Sequence, residues 1–296
     1  MMDKTTELFC LIDDFCQQFE SLLAQRLLDE RSDKRRRNRE CAMSLSEMTT
    51  IVVLFHTMRG RQFKAFYRGT VCRFMTAEFP RRLSYTRFVA LMPRCAVVLT
   101  ALFRTLKGAC TGLSIADATP LAVCHNLRIQ RHRVFKGVAQ RGKSSTGWFY
   151  GFKLHAVINH QGELLAIKVT PGNVDDRKGL LTIASNLFGK LYADKGYIGK
   201  EFAQKMKDKG VDIVTRVRKN MKEVVHSEFD QVLLRKRSLV ETVFDELKNL
   251  CQIEHTRHRS SMNFAVNLMA GIVAYCLQPV KPRIAVWDSR DPLAVN

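Results

Sequence analysis

The chain has 296 residues, 46% of them apolar, with 48 Lys and Arg against 28 Asp and Glu and a net charge of +20. That length and apolar content exclude a disordered chain and allow one large domain or two ordinary ones. The charge points to a polyanionic partner, nucleic acid first, ahead of a membrane surface or a merely basic enzyme.

No apolar run reaches about 18 residues, so no membrane span is expected. The start, MMDKTTELFC, carries acids and lacks the basic opening of a secretory signal. Nine cysteines without Cys-x-x-Cys spacing read as free thiols of a reducing cytoplasm, not as a disulfide frame or a zinc site.

Residues 1–109 read as a helical, DNA-binding region. TTELFCLIDDFCQQFESLLAQRLL has apolar residues at helical spacing and runs into the basic cluster RSDKRRRNREC. Ser44-x-x-Glu47 is a capping box that opens the next helix. Beyond Pro80, Ser84 is the expected N-cap of another helix, which would present Tyr85 and Arg87 in the manner of a recognition helix.

The pattern changes near residue 111, and 110–279 reads as a second domain, followed by a tail at 280–296. GLSIADATPLAV is a strand ending at a turn. GWFYGFKLHAVI and ELLAIKVTPG, around Gly162, form a hairpin. Helices and short strands then alternate, giving the order β-β-β-α-β-α-β-α-α. The expected fold class is therefore α/β, a mixed sheet with flanking helices, preceded by an all-helical N-terminal region.

Between the first two strands, residues 128–147 hold Arg128, Arg131, Arg133, Lys136, Arg141 and Lys143 and no acid. This segment reads as a mobile loop that contacts DNA, mainly along its backbone.

Two acids stand at strand ends: Asp117 in SIADATP and Asp194 in KLYADKGYIG. Ligand sites of open α/β sheets lie at such ends. A third carboxylate from a packed helix would complete an oxygen-ligand site suited to Mg²⁺ or Mn²⁺. In LLRKRSLVETVFDELKNL, Val240, Phe244 and Leu247 make an apolar stripe. Arg237, Glu241 and Lys248 share another face, with Asp245 and Glu246 as dispensable neighbours. Each of these features also has an ordinary reading, as a turn cap, an Asx turn or a solvated ion-pair face.

The segments SIADATPLAVC, GWFYGFKLHAVIN, VTPGNVDDRKGL, LYADKGYIG, RSLVETVFDELKN and IEHTRHRS together resemble insertion-sequence transposases with a DDE triad, and look closest to the insertion sequence 982 family. The group's third acid lies in a Tyr-x2-Arg-x3-Glu-x6-Lys signature. Arg237, Glu241 and Lys248 match it, and Leu234 replaces the tyrosine.

The resemblance implies a ribonuclease H-like catalytic fold with Asp117, Asp194 and Glu241 as catalytic metal ligands. It implies two Mg²⁺ or Mn²⁺ ions, Asp117 bridging both, one ion activating water and then the 3′-hydroxyl and the other stabilising the leaving oxygen. Arg237 and Lys248 would contact phosphates near the cut. The partners would be terminal inverted repeats and target DNA, bound by a homodimer in the cytoplasm. His155 is a candidate accessory residue. Asp175 and Asp176 read instead as helix-opening acids, and His255 and His258 as phosphate or loop contacts. The rival readings are another ribonuclease H-like nuclease, such as a junction resolvase, and a DNA-binding derivative that has lost catalysis.

Overall fold

The computed structural model describes residues 2–29, 41–145, 147–217, 220–221, 224–254 and 258–284. Most of the basic cluster at 31–41, His255 and the last part of the tail lie outside them. The chain divides into two compact units.

The first unit is helical. It contains α1 (Met2–Asp29), α2 (Leu45–Thr57), α3 (Phe63–Phe66), α4 (Cys72–Phe74), α5 (Tyr85–Leu91) and α6 (Cys95–Leu106). The Ser44 hydroxyl accepts from the Glu47 amide at 3.0 Å, and the Glu47 carboxylate accepts from the Ser44 amide at 2.6 Å, so the capping box forms. Ser84 caps α5 as its position suggests, accepting from the Arg87 amide at 3.3 Å. Arg87 lies on the exposed side of that short helix. Five of the helical core aromatics pack around Phe63, whose ring contacts Phe55, Phe66, Tyr67, Tyr85 and Phe88.

The second unit holds one six-stranded mixed sheet. Its strands are β1 (Leu113–Cys124), β2 (Gln140–Ser144), β3 (Gly147–Asn159), β4 (Leu164–Pro171), β5 (Gly189–Ala193) and β6 (Val211–Thr215). Its helices are α7 (Asp176–Ile183), α8 (Lys200–Lys207), α9 (Glu228–Lys236) and α10 (Leu239–Asp245). β1, β5 and β6 run parallel, and β1, β3 and β4 pair antiparallel. One edge of the long strand β3 is shared: its first part pairs with β2 and the remainder with β4.

The sheet's two faces are sorted by side-chain alternation. Ala116 on β1 and Leu191 and Ala193 on β5 join Leu180 of α7 and Phe202 and Met206 of α8 in one buried cluster. The alternate residues of β5, Lys190 and Tyr192, meet Asp230 of α9 instead.

Three expectations need correction. The basic segment at 128–147 is not a plain loop. It contains a 3-10 turn at Asn126–Arg131 and the strand β2, anchored by Phe135, which is buried against Phe152. The single helix expected over 233–250 is three pieces: α9, α10 and a π-helical turn at Glu246–Leu250.

The boundaries 110–279 are also interrupted. Residues 249–253 and 259–277 belong to the first unit, including α11 (Ser261–Cys276). Ten residues of that helix are buried, on more than one face, so helices must cover it; α2 and α6 pack against it. By length and composition alone, the helical stretch Tyr85–Leu106, 22 residues at a mean hydropathy of 1.6, meets the requirement for crossing a membrane. Core helices pass the same test, and Cys95, Val98, Leu99, Leu102 and Phe103 of this one are buried.

Candidate active site

Asp117 and Asp194 come together through sheet register. The last recorded pair of β1 and β5 is Ile115 with Tyr192. Two residues further along stand Asp117, in the middle of β1 and not at its end as the sequence suggested, and Asp194, just past the end of β5; side-chain alternation turns both to one face, where the charge of Asp194 bears on Asp117. That face is the one that carries α9 and α10, because Tyr192 contacts α9 and α10 packs on β1. Glu241 lies in the first turn of α10.

Arg237 links the group. Its Nη1 donates to Asp117 Oδ2 at 3.3 Å and its Nη2 to Glu241 Oε1 at 3.1 Å. The guanidinium is 19% exposed, Asp117 23% and Glu241 59%. Arg237 stands at the junction of α9 and α10. Val240 and Glu241 donate to Arg237 and Ser238 with three-residue spacing, a tight turn that ends α9 at Arg237.

Asp117 is electrostatically stressed. Burial pushes its carboxyl up from 3.8 to about 6. The Ala118 amide, which donates to Oδ1 at 2.8 Å, and Arg237 oppose that rise, while the negative charges of Asp194 and Glu241 add to it. Tyr197, in the Asp194-x-Gly-Tyr motif, is 3% exposed. Burial and the charge on Asp117 raise its phenol far above the ordinary value, so it stays protonated.

Lys248 has partners of its own on β1 and beyond. Its Nζ donates to the Pro120 carbonyl at 2.6 Å and pairs with Glu254 at 3.1 Å. The seven-residue spacing from Glu241 assumes a regular helix, and the π turn breaks that phase. The contact has a clear cause. β5 stops at Ala193, and the pairs recorded for β1 with β5 end at Ile115, leaving the later edge of β1 open. Side chains take the place of a strand there: Asp117 accepts from Ala118, Lys248 donates to Pro120, and Glu254 accepts from Ala122 at 2.8 Å. Glu254 went unremarked in the sequence. It lies in IEHTRHRS, where the histidines drew attention, and no local pattern marks an acid that serves a strand 132 residues away.

His155 is turned away from the acids. Its cross-strand partner is Ala118, one residue out of phase with Asp117. The imidazole is 1% exposed, packs on Gly179 of α7, and its Nε2 lies 2.8 Å from Thr170 Oγ1. Burial lowers its pKa to about 4, so it is neutral near pH 7. It is a core histidine of the opposite face, not an accessory of the acid site.

Asp175 and Asp176 open a helix, as read from the sequence. Asp175 caps α7 and chelates Arg177, which holds its carboxyl down at about 2. Asp176 pairs with Lys153 at 2.9 Å. His258 lies against the Phe135 ring. Arg128, Arg131, Arg133, Lys136, Arg141 and Lys143 are all exposed.

Among the described residues no three His, Cys, Asp or Glu side chains stand at metal-ligand spacing. The donor set nevertheless suits a hard cation. It is all carboxylate, Asp117 resists ionisation without a counter-charge, and the present counter-charge is a guanidinium touching two of the three acids.

A search of curated proteins finds no match. A family model described as a transposase DDE domain matches residues 107–261, just over half of the chain and the region that carries all three acids. On that match and on the carboxylates gathered within it, the chain belongs to the DDE transposase family.

Proposed function

We propose that this transposase cuts DNA at terminal inverted repeats and joins the freed 3′ ends to target DNA, using Asp117, Asp194 and Glu241 on a ribonuclease H-like catalytic domain. The observation that carries the reading is Arg237 tying Asp117 of β1 to Glu241 of α10, with Asp194 just past the end of the neighbouring strand β5.

The three carboxylates would hold Mg²⁺ or Mn²⁺. Bound divalent ions supply Lewis acidity and neutralise charge at the phosphodiester under attack. Arg237, which bonds Asp117 and Glu241, would be able to turn its guanidinium to a phosphate oxygen and grip it bidentately. Tyr197, held protonated, adds no competing negative charge near the acids. Arg128, Arg131, Arg133 and Lys136 would grip the DNA backbone, and the protein would act as a dimer on paired ends. The finer likeness to the insertion sequence 982 family rests on the motifs alone.

The test is a strand-transfer assay on DNA bounded by the repeats that flank the gene. Joined products are expected with Mg²⁺ or Mn²⁺, and Asp117→Asn, Asp194→Asn and Glu241→Gln should each lower the rate by at least about a hundredfold. Unchanged cutting in those variants would refute the triad. Cutting without joining across metal conditions would favour a resolvase-like nuclease.

A further inference from the structure

The β2–β3 hairpin carries a surface that the acid site does not use. Trp148, near the start of β3, is 57% exposed. Lys143 is its cross-strand partner, so the two side chains leave the same face of the ribbon. The Lys143 ammonium lies 5.9 Å from the indole centroid, and the Arg141 guanidinium 5.8 Å. A lone exposed apolar side chain is ordinary. A ring with two cations near it, neither of them in an ion pair among the described residues, is a different object.

The acids of the adjoining cleft do not neutralise those cations. Asp175 is paired with Arg177 and Asp176 with Lys153. The cleft encloses about 400 Å³ and is lined by Arg141, Lys143, Trp148, Lys153 and Asn173 among others. Its walls are fixed. Phe149 and Tyr150, the next residues of β3, are buried, and Gly142 of β2 packs directly on the Gly172 backbone, where a Cβ would collide.

We propose that Trp148 is a stacking platform for an unpaired nucleotide, with Arg141 and Lys143 holding the phosphates on either side of the stacked base. Every base has a π face, so such a platform tolerates any sequence. Bases inside a duplex already stack on one another and cannot cover the ring. An exposed ring beside two cations therefore selects unpaired bases over paired ones, blunt duplex ends included. The proposal rests on the reading of the chain as a protein that acts on DNA ends.

The chain has two tryptophans, so Trp287→Phe leaves Trp148 as the only reporter in the full-length protein. That protein is titrated with fluorescein-labelled oligothymidylate, a blunt duplex of equal phosphate number, and heparin, following indole emission and dye anisotropy. Oligothymidylate should quench Trp148, while heparin should bind without quenching. Trp148→Ala should weaken oligothymidylate binding about 5- to 150-fold, the range of one lost base stack. Trp148→Phe should retain most of the affinity, which guards against misreading a folding defect.

Oligothymidylate binding with unchanged Trp148 emission and an unchanged Kd in Trp148→Ala would overturn the platform. Equal quenching by the blunt duplex would overturn its preference for unpaired bases. A folded protein that binds neither DNA would overturn the DNA-acting reading itself, a failure distinct from the first two.

Discussion

Asp117 answers two demands that conflict until a cation arrives. Its place within β1, beside Asp194 and Glu241, assembles a site, and the same place makes its negative charge costly. The folded carboxyl titrates near 6 and the unfolded one near 3.8. Protonated Asp117 thus favours the fold below about pH 4, and that advantage disappears as pH rises through 6. Above pH 7 the metal-free protein carries the whole penalty, at most about 3 kcal/mol for a shift of this size. Asp117→Asn should therefore melt at a higher temperature than the parent at pH 7.5 in chelator, and the two should converge near pH 4. Adding Mg²⁺ should raise the melting temperature of the parent and leave Asp117→Asn nearly unmoved. A parent more stable than the variant at pH 7.5 without metal would contradict this account. His155 works in the opposite sense: its folded pKa, about 4, lies below the ordinary 6.5, so its contribution is lost as pH falls below that value.

The elements behave less simply than their sequence periods. The stripe of Val240, Phe244 and Leu247 is legible from spacing and is buried as that spacing requires. So are both serine caps and the helix-opening role of Asp175, because each is a contact between residues two or three apart. What spacing could not show is phase lost at a π turn and partners far off in sequence. Lys248 and Glu254 illustrate both: together they replace a missing strand along β1, and their partners Pro120 and Ala122 lie 128 and 132 residues away. β2 was illegible for another reason. QRGKS has no apolar alternation and forms a strand only because β3 offers it an edge. The Lys248–Glu254 clamp is testable by a double-mutant cycle. Lys248→Met and Glu254→Gln should each destabilise the protein in urea by about 1–3 kcal/mol, and together by less than their sum. Strict additivity would mean that the two residues act separately.

At the scale of the whole molecule, charge sets the terms of encounter. A net charge of +20 makes affinity for any duplex depend on displaced counterions. Arg128, Arg131, Arg133 and Lys136 are exposed on a segment anchored by Phe135, so their removal should leave the core intact. Replacing all four with Gln should lower the slope of log affinity against log salt by up to about 4, measured by anisotropy between 50 and 200 mM salt. An unchanged slope would show that the segment does not touch phosphates.

The interrupted unit boundaries bear on how the molecule is made. The helical unit draws its core from both sides of the sheet segment, and α11, buried among α2 and α6, is translated after all six strands. A ribosome delivers the first helices long before the one that completes their core. They must wait with apolar faces uncovered while residues 107–248 emerge. The module at the start of the chain is thus the last to be finished, and a polypeptide released before residue 261 would have its acids but no completed helical core.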